Sequence, residues 1–251
     1  MNRAIGRGSV ALMLSIAASP VDAAHPFVTD DTRTQGTGHF ELQLGTDYTR
    51  TPDAGSQVSL FEFQPQLTYG VVPTVDLILR PSYDVLVVTG ASAGRTSGFG
   101  ETVAAIKWRF IDAQPWSAGV ALGTGIPSGN PGLDAGRSTP RALLLVTGDS
   151  ATLELDVNVG VVRNADGPAL RDWLGHASVL TLWHASDRLQ LGIDFAFDQN
   201  PLRTQTQWPA TALIGGIWKA NSDWDLDAGY QRGLNHSAPR NQWLLGATLR
   251  W

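Results

Sequence analysis

From Gly38 to Trp251, apolar and polar residues alternate along the chain with a period of two, and helical periodicity is almost absent. The run Leu153-Glu154-Leu155-Asp156-Val157-Asn158-Val159 puts apolar side chains on one face and carboxylates or amides on the other. Phe61-Glu62-Phe63-Gln64-Pro65-Gln66-Leu67-Thr68-Tyr69, Leu189-Gln190-Leu191-Gly192-Ile193-Asp194-Phe195 and Trp224-Asp225-Leu226-Asp227-Ala228-Gly229-Tyr230 repeat the pattern. Such alternation predicts strands with one face apolar and one polar. Twelve of them are expected, near 38–50, 57–69, 75–87, 99–111, 116–126, 139–147, 151–162, 173–183, 188–198, 209–219, 224–232 and 241–251. Leu143-Leu144-Leu145 and His176 blur the pattern in the sixth and eighth.

The segments between these strands alternate in length. Those at 51–56, 88–98, 127–138, 163–172, 199–208 and 233–240 are longer, and those at 70–74, 112–115, 148–150, 184–187 and 220–223 are shorter. Twelve strands place all the longer connections at one end, which is how an outer-membrane barrel sorts its outer loops from its periplasmic turns. The nine tryptophans also fall near strand ends: Trp108, Trp116, Trp183, Trp218, Trp224 and Trp251 towards the short turns, Trp173, Trp208 and Trp243 towards the longer loops. Phe40 and Tyr69 join the first group, and Tyr48, Tyr83, Phe197 and Tyr230 the second. Trp and Tyr favour the membrane–water interface, where an apolar ring and a polar tip are both accommodated. The expected fold is all-β, an antiparallel transmembrane β-barrel of about twelve strands.

Composition agrees with that fold. Charged residues make up 16 % of the chain and hydrophobic ones 43 %, against roughly 25 % charged in soluble domains. No run approaches the ~20 apolar residues of a membrane-spanning helix. There is no cysteine, which excludes disulfides, thiolate metal ligands and thiol catalysis. At the N-terminus, Arg3 and Arg7 precede an apolar stretch from Val10 to Ala18, with Val21 and Ala23 at −3 and −1 of a cleavage site. That is the make-up of a signal peptide covering residues 1–23. Its removal takes the net charge from −5 to −6, by loss of Arg3, Arg7 and Asp22. An acidic chain of this kind carries no nucleic-acid footprint.

At the start of the expected mature chain stands His25-Pro26-Phe27-Val28-Thr29-Asp30-Asp31-Thr32, followed by Thr34-Gln35-Gly36. Gly98-Phe99-Gly100-Glu101 leads into Lys107-Trp108-Arg109-Phe110, Pro127-Ser128-Gly129 follows a glycine-rich strand, and Ser186-Asp187-Arg188-Leu189 and Gly229-Tyr230 come later. Together these resemble the outer-membrane β-barrel family labelled as the meta-pathway of phenol degradation. Departures are Glu101 in place of Asp, Ser128 in place of Thr and Trp251 in place of a closing Phe. The resemblance implies a bacterial outer-membrane barrel and a transport role, with phenolic compounds as cargo only by way of the family label. The final strand, with Trp243, Leu245, Ala247, Leu249 and Trp251 on one face, is similar to the signal by which outer-membrane proteins reach the barrel-assembly machinery.

If the apolar faces meet outer-membrane lipids, the polar faces line the lumen. Expected there are Glu41, Gln43, Asp47, Glu62, Gln64, Gln66, Asp76, Arg80, Asp84, Glu101, Lys107, Arg109, Glu154, Asp156, Asp194, Asp225, Asp227 and Arg250. Charges of both signs in a confined space should pair, since an unpaired buried charge is costly. One reading is a network that rigidifies the wall. The other is a polar path whose acidic excess disfavours anions. Residues 24–37 are too polar to cross lipid and form a periplasmic segment or a plug at the mouth of the 38–251 barrel. His25, Asp30 and Asp31 are its candidate residues, the two aspartates meeting Arg80, Lys107, Arg109 or Arg250. No catalytic, cofactor or metal motif is present: the histidines His25, His39, His176, His184 and His236 lie outside any serine-hydrolase or HExxH context. The expected function is a transporter or narrow channel for small, hydrophobic or aromatic molecules. The alternatives are an outer-membrane enzyme of lipase type and a structural barrel.

Overall fold

A computed structural model describes residues 25–53, 56–90 and 93–251. The expected signal peptide, 1–23, lies outside the described residues. The alternating segments all form strands: β1 (Phe40–Asp53), β2 (Ser56–Val72), β3 (Val75–Arg80), β4 (Tyr83–Thr89), β5 (Gly94–Phe99), β6 (Thr102–Ala113), β7 (Trp116–Ile126), β8 (Thr139–Asp149), β9 (Leu153–Arg163), β10 (Trp173–Ser186), β11 (Leu189–Asp198), β12 (Ala210–Lys219), β13 (Trp224–Gly233) and β14 (Asn241–Arg250). Every pairing between strands is antiparallel, and β1 pairs with both β2 and β14, so the sheet closes on itself. Strands β3 and β4 form one stave of the wall and β5 and β6 another, which makes a barrel of twelve.

The interruption between β3 and β4 has a local cause. The pairs Leu67↔Leu79 and Phe63↔Tyr83 share one register, which sets Pro65 opposite Pro81. Neither proline has an N–H to give to the ladder. On the far side, the register shifts by one residue between Val75↔Trp108 and Tyr83↔Phe99, a bulge closed by Gly100 N–H donating to Ser82 O at 3.1 Å.

Loop lengths differ from expectation at the first two outer ends. The ladder of β1 and β2 runs on to Asp53↔Ser56, and that of β4 and β5 to Val88↔Gly94. The expected connections at 51–56 and 88–98 are therefore largely strand. Polar side chains there do not stop a hairpin held by its backbone, and Arg50 Nη2 donates across it to Gln57 Oε1 at 2.6 Å. The four later outer loops keep their length, from 127–138 onwards, while the opposite end has tight turns such as 73–74 and 114–115.

The burial pattern is that of a protein turned inside out. In β9 the carboxylates Glu154 and Asp156 and the amide Asn158 are buried, whereas Leu153, Leu155, Val157 and Val159 are exposed. All nine tryptophans are among the exposed residues, so they cover the outer surface rather than fill a core. Phe40 stacks on Trp251 near the turn end at 5.5 Å, and Tyr48 and Tyr230 lie 5.8 and 5.7 Å from Trp243 near the loop end. These are the two aromatic girdles flanking an apolar band.

The lumen is less uniformly polar than the alternation implied. Ile78, Ala105, Ala121, Leu143 and Leu145 form one buried apolar cluster. Phe27, Leu180, Leu182, Leu213 and Leu244 form a second. This resolves the blurred sixth strand: Leu143 and Leu145 point inward while Leu144 meets lipid, 48 % exposed.

Candidate functional site

The N-terminal segment enters the barrel beside the turn at 73–74 and runs round the inside of the wall. Gly36 and Gly38 have φ of +82° and +83°, a left-handed conformation that favours glycine, and they turn the chain from the segment into β1. Gly70 completes the corner, since a Cβ there would stand 1.8 Å from Gly36 O. Beyond the corner, Thr34 Oγ1 donates to Pro73 O at 2.8 Å and Gln35 N–H to the Asp76 carboxylate at 3.1 Å.

The middle of the segment is held by polar groups of the wall. Thr32 N–H donates to Thr147 Oγ1 at 3.0 Å, and its hydroxyl shares a 2.5 Å hydrogen bond with Ser117. Asp30 and Asn158 exchange two bonds, at 2.7 and 2.8 Å, much as neighbouring strands would. Asp194 accepts from Val28 N–H, Thr29 N–H and the Thr29 hydroxyl at 2.7, 2.8 and 2.7 Å. A carboxylate that gathers three donors satisfies both itself and a stretch of backbone with no ladder of its own.

Lys107 reaches Asp30 at 3.0 Å and Asp31 at 3.4 Å. Arg33 pairs with Asp31 at 2.7 Å and with Glu154. Burial alone would raise the Asp31 pKa, but Arg33 and Lys107 outweigh it and hold the carboxyl well below the usual range. Arg109 and Arg250, also expected to meet the two aspartates, lie elsewhere. Arg109 faces Asp112 at 3.4 Å near the turn end, and Arg250 bridges Glu41 at 2.7 Å and Asp225 at 2.5 Å. Arg80 lines a cavity of about 40 Å³ with His25, Gln43, Asp47, Gln64 and Gln66. Glu101 binds Thr139 and Arg141 away from the segment, and Glu62 accepts from Gln64 at 3.2 Å. Asp84 and Asp156 are buried in the wall, Asp156 beside Thr147 at 2.6 Å.

The far end of the segment is held by shape. Gly192, Gly215 and Gly229 are cross-strand partners in series, and Gly45 pairs with Gly246. Together they make a track with no side chains along β11–β14 and β1. A Cβ at Gly192 would come within 2.5 Å of Phe27 Cζ, one at Gly215 within 2.9 Å of Pro26, and one at Gly246 within 2.5 Å of His25 Nδ1. His25 is bonded through Nδ1 to Asp227 and through Nε2 to Asp47, the latter at 3.3 Å. Burial disfavours its charge, yet the two carboxylates overcome this and push its pKa up to about 9.

His25, Asp30 and Asp31 are recognisable in the sequence as segment residues, whereas the glycine track, Asn158, Thr147 and Arg33 are not. The glycines sit on separate strands, and only the barrel register brings them into line. Another arrangement not read from sequence is Ser178, His176 and Asp198. His176 Nε2 is 3.1 Å from Ser178 Oγ, and Nδ1 is 2.7 Å from Asp198 Oδ1.

The profile of the family described as "Putative MetA-pathway of phenol degradation" matches residues 23–251. The chain belongs to that family. Its barrel is similar to an outer membrane channel from Pseudomonas putida F1, with a TM-score of 0.75 at 12 % identity, over 88 % of this chain and 98 % of the other. It also resembles the translocator domain of autotransporter NalP from Neisseria meningitidis, with a TM-score of 0.58 at 14 % identity, over 86 % and 89 %. A third likeness is to the KdgM porin in complex with disordered oligogalacturonate, at 0.54 and 7 %, over 84 % and 98 %. No curated protein matches the sequence. With this fold and this outer surface, the family member is a β-barrel of the bacterial outer membrane.

Proposed function

We propose that the protein is a narrow channel for small molecules, closed in this state by the segment from His25 to Thr37. The observation that carries this reading is the chain of wall contacts from Gln35 on β3 round to His25 on β13 and β1. A segment held at so many points blocks the lumen, and one held by hydrogen bonds and a few apolar contacts can also be released. A twelve-stranded wall lies between barrels filled by side chains and those with a wide aqueous channel. Carboxylates outnumber basic groups along its interior, which disfavours anionic cargo. The family description adds aromatic catabolism, so small neutral aromatic molecules are the proposed cargo. Outer-membrane lipids are the proposed partner of the apolar band, and the strand ending at Trp251 the handle for the barrel-assembly machinery.

The test is planar-bilayer conductance of the chain from residue 24 onward and of the same chain lacking 25–36. Several-fold larger conductance of the deletion is expected, with heat-dependent gel mobility confirming that it folds. Equal conductance of two folded barrels would end the plug reading.

A second reading, hydrolysis, is favoured only by the Ser178–His176–Asp198 geometry, which is that of an activated hydroxyl. Ser178 is 4 % exposed and faces the lumen, away from the lipid a lipase must reach. Lipid hydrolysis lost in Ser178→Ala would favour this reading over transport.

A further inference from the structure

The strongest unassigned feature is on the wall near the turn end, outside the contacts that seat Phe27 and Asp30. Asp149 ends β8 and Glu154 lies directly opposite it on β9. His184, near the end of β10, is tied to the same corner by its N–H bond to Thr152 O at 3.0 Å. One ligand atom from each of the three lies within 4.8 Å of the others.

Their bonding state is what points to a ligand. Asp149 Oδ1, Glu154 Oε2 and His184 Nε2 are each buried and receive no hydrogen bond from an N–H or hydroxyl among the described residues; the carboxyl of Asp156 is the other group against Glu154. Glu154 is 1 % exposed. Its Oε2 stands 3.7 Å from His184 Nε2, too far for a hydrogen bond. Three orphaned polar atoms converging on one spot would be costly if nothing bound there, because buried polar groups are normally satisfied. The same spacing suits a metal. Ligand atoms at about 2.1 Å from a tetrahedral ion stand about 3.4 Å apart, so modest side-chain rotation closes the site.

We propose that Asp149, Glu154 and His184 bind one divalent transition-metal ion of the Zn²⁺ class, with water completing the coordination. One imidazole and two carboxylates suit such an ion, whereas an all-oxygen set would suit Mg²⁺ or Ca²⁺. Arg33 does not occupy the site: it donates to Glu154 Oε1 and leaves Oε2 turned towards His184. The Arg33 charge is itself offset by Asp31 at 2.7 Å. Glu154 also holds Arg33 of the segment through its other oxygen, but all three ligands are wall residues, so the site does not depend on the channel reading.

The test is titration calorimetry of the metal-stripped, refolded full barrel in detergent with Zn²⁺, alongside His184→Gln and Asp149→Asn. One ion per barrel is expected, bound at least about tenfold more weakly by each variant and not displaced by excess Mg²⁺. Heat-dependent gel mobility shows that each variant is folded. Asp149→Asn, beside the turn, serves if His184→Gln does not fold. No uptake by the parent barrel, or equal affinity in a folded variant, would overturn the site.

Discussion

The two halves of the lumen wall hold the same segment in different ways. On β6–β9 the contacts are polar: Lys107, Thr147, Glu154 and Asn158 meet residues 30–33 through charges and hydrogen bonds. On β11–β14 and β1 the wall recedes at five glycines, and Pro26 and Phe27 fill the space, Phe27 packing with Leu180, Leu213 and Leu244. Asp194 on β11 joins the two regimes. The polar side fixes position, because each bond has one geometry. The glycine side supplies burial, which is the larger and less directional contribution.

This contrast can be broken at its apolar end first. Phe27→Ala removes the ring that fills the inner cluster and should weaken docking by about 3 kcal/mol, the scale of a buried aromatic truncation. Open-channel occupancy in bilayers should rise roughly a hundredfold. Asp194→Asn keeps the shape but removes the charge that gathers three donors, at a cost of about 2 kcal/mol. Protease access to the segment should rise correspondingly, with barrel mobility on gels unchanged.

The third effect depends on pH. His25 titrates near 9 when docked, against 6.5 ordinarily. Its stabilisation is therefore complete below about 6.5 and lost as pH rises through about 9. Asp47, Asp227 and Arg80 are the charged groups that surround it. Openings should become more frequent towards alkaline pH, and His25→Gln should flatten that dependence.

The wall was legible in the sequence because its physics is local. Period-two alternation in Leu153–Val159 needs no partner strand to be read, and the tryptophans mark strand ends by their own chemistry. The break between β3 and β4 was not read, since 75–87 was expected as one strand and only the register sets Pro65 opposite Pro81. What could not be read depends on register. Gly192, Gly215 and Gly229 become a track, and Asp149, Glu154 and His184 a cluster, only once the strands are aligned. Asp30 and Asp31 were recognisable as groups seeking cations. Which cations they meet depends on the path of the segment, and Lys107 and Arg33 lie on it while Arg109 and Arg250 do not.

The central claim, that the segment closes the lumen, is tested most directly by locking it in place. The chain has no cysteine, and the hydroxyls of Thr32 and Ser117 are 2.5 Å apart. A Thr32→Cys, Ser117→Cys pair can therefore be joined by oxidation and freed by a reductant while single-channel current is recorded. Openings should vanish in the oxidised barrel and return on reduction. Equal openings in both states, with the disulfide verified by mass, would contradict the account.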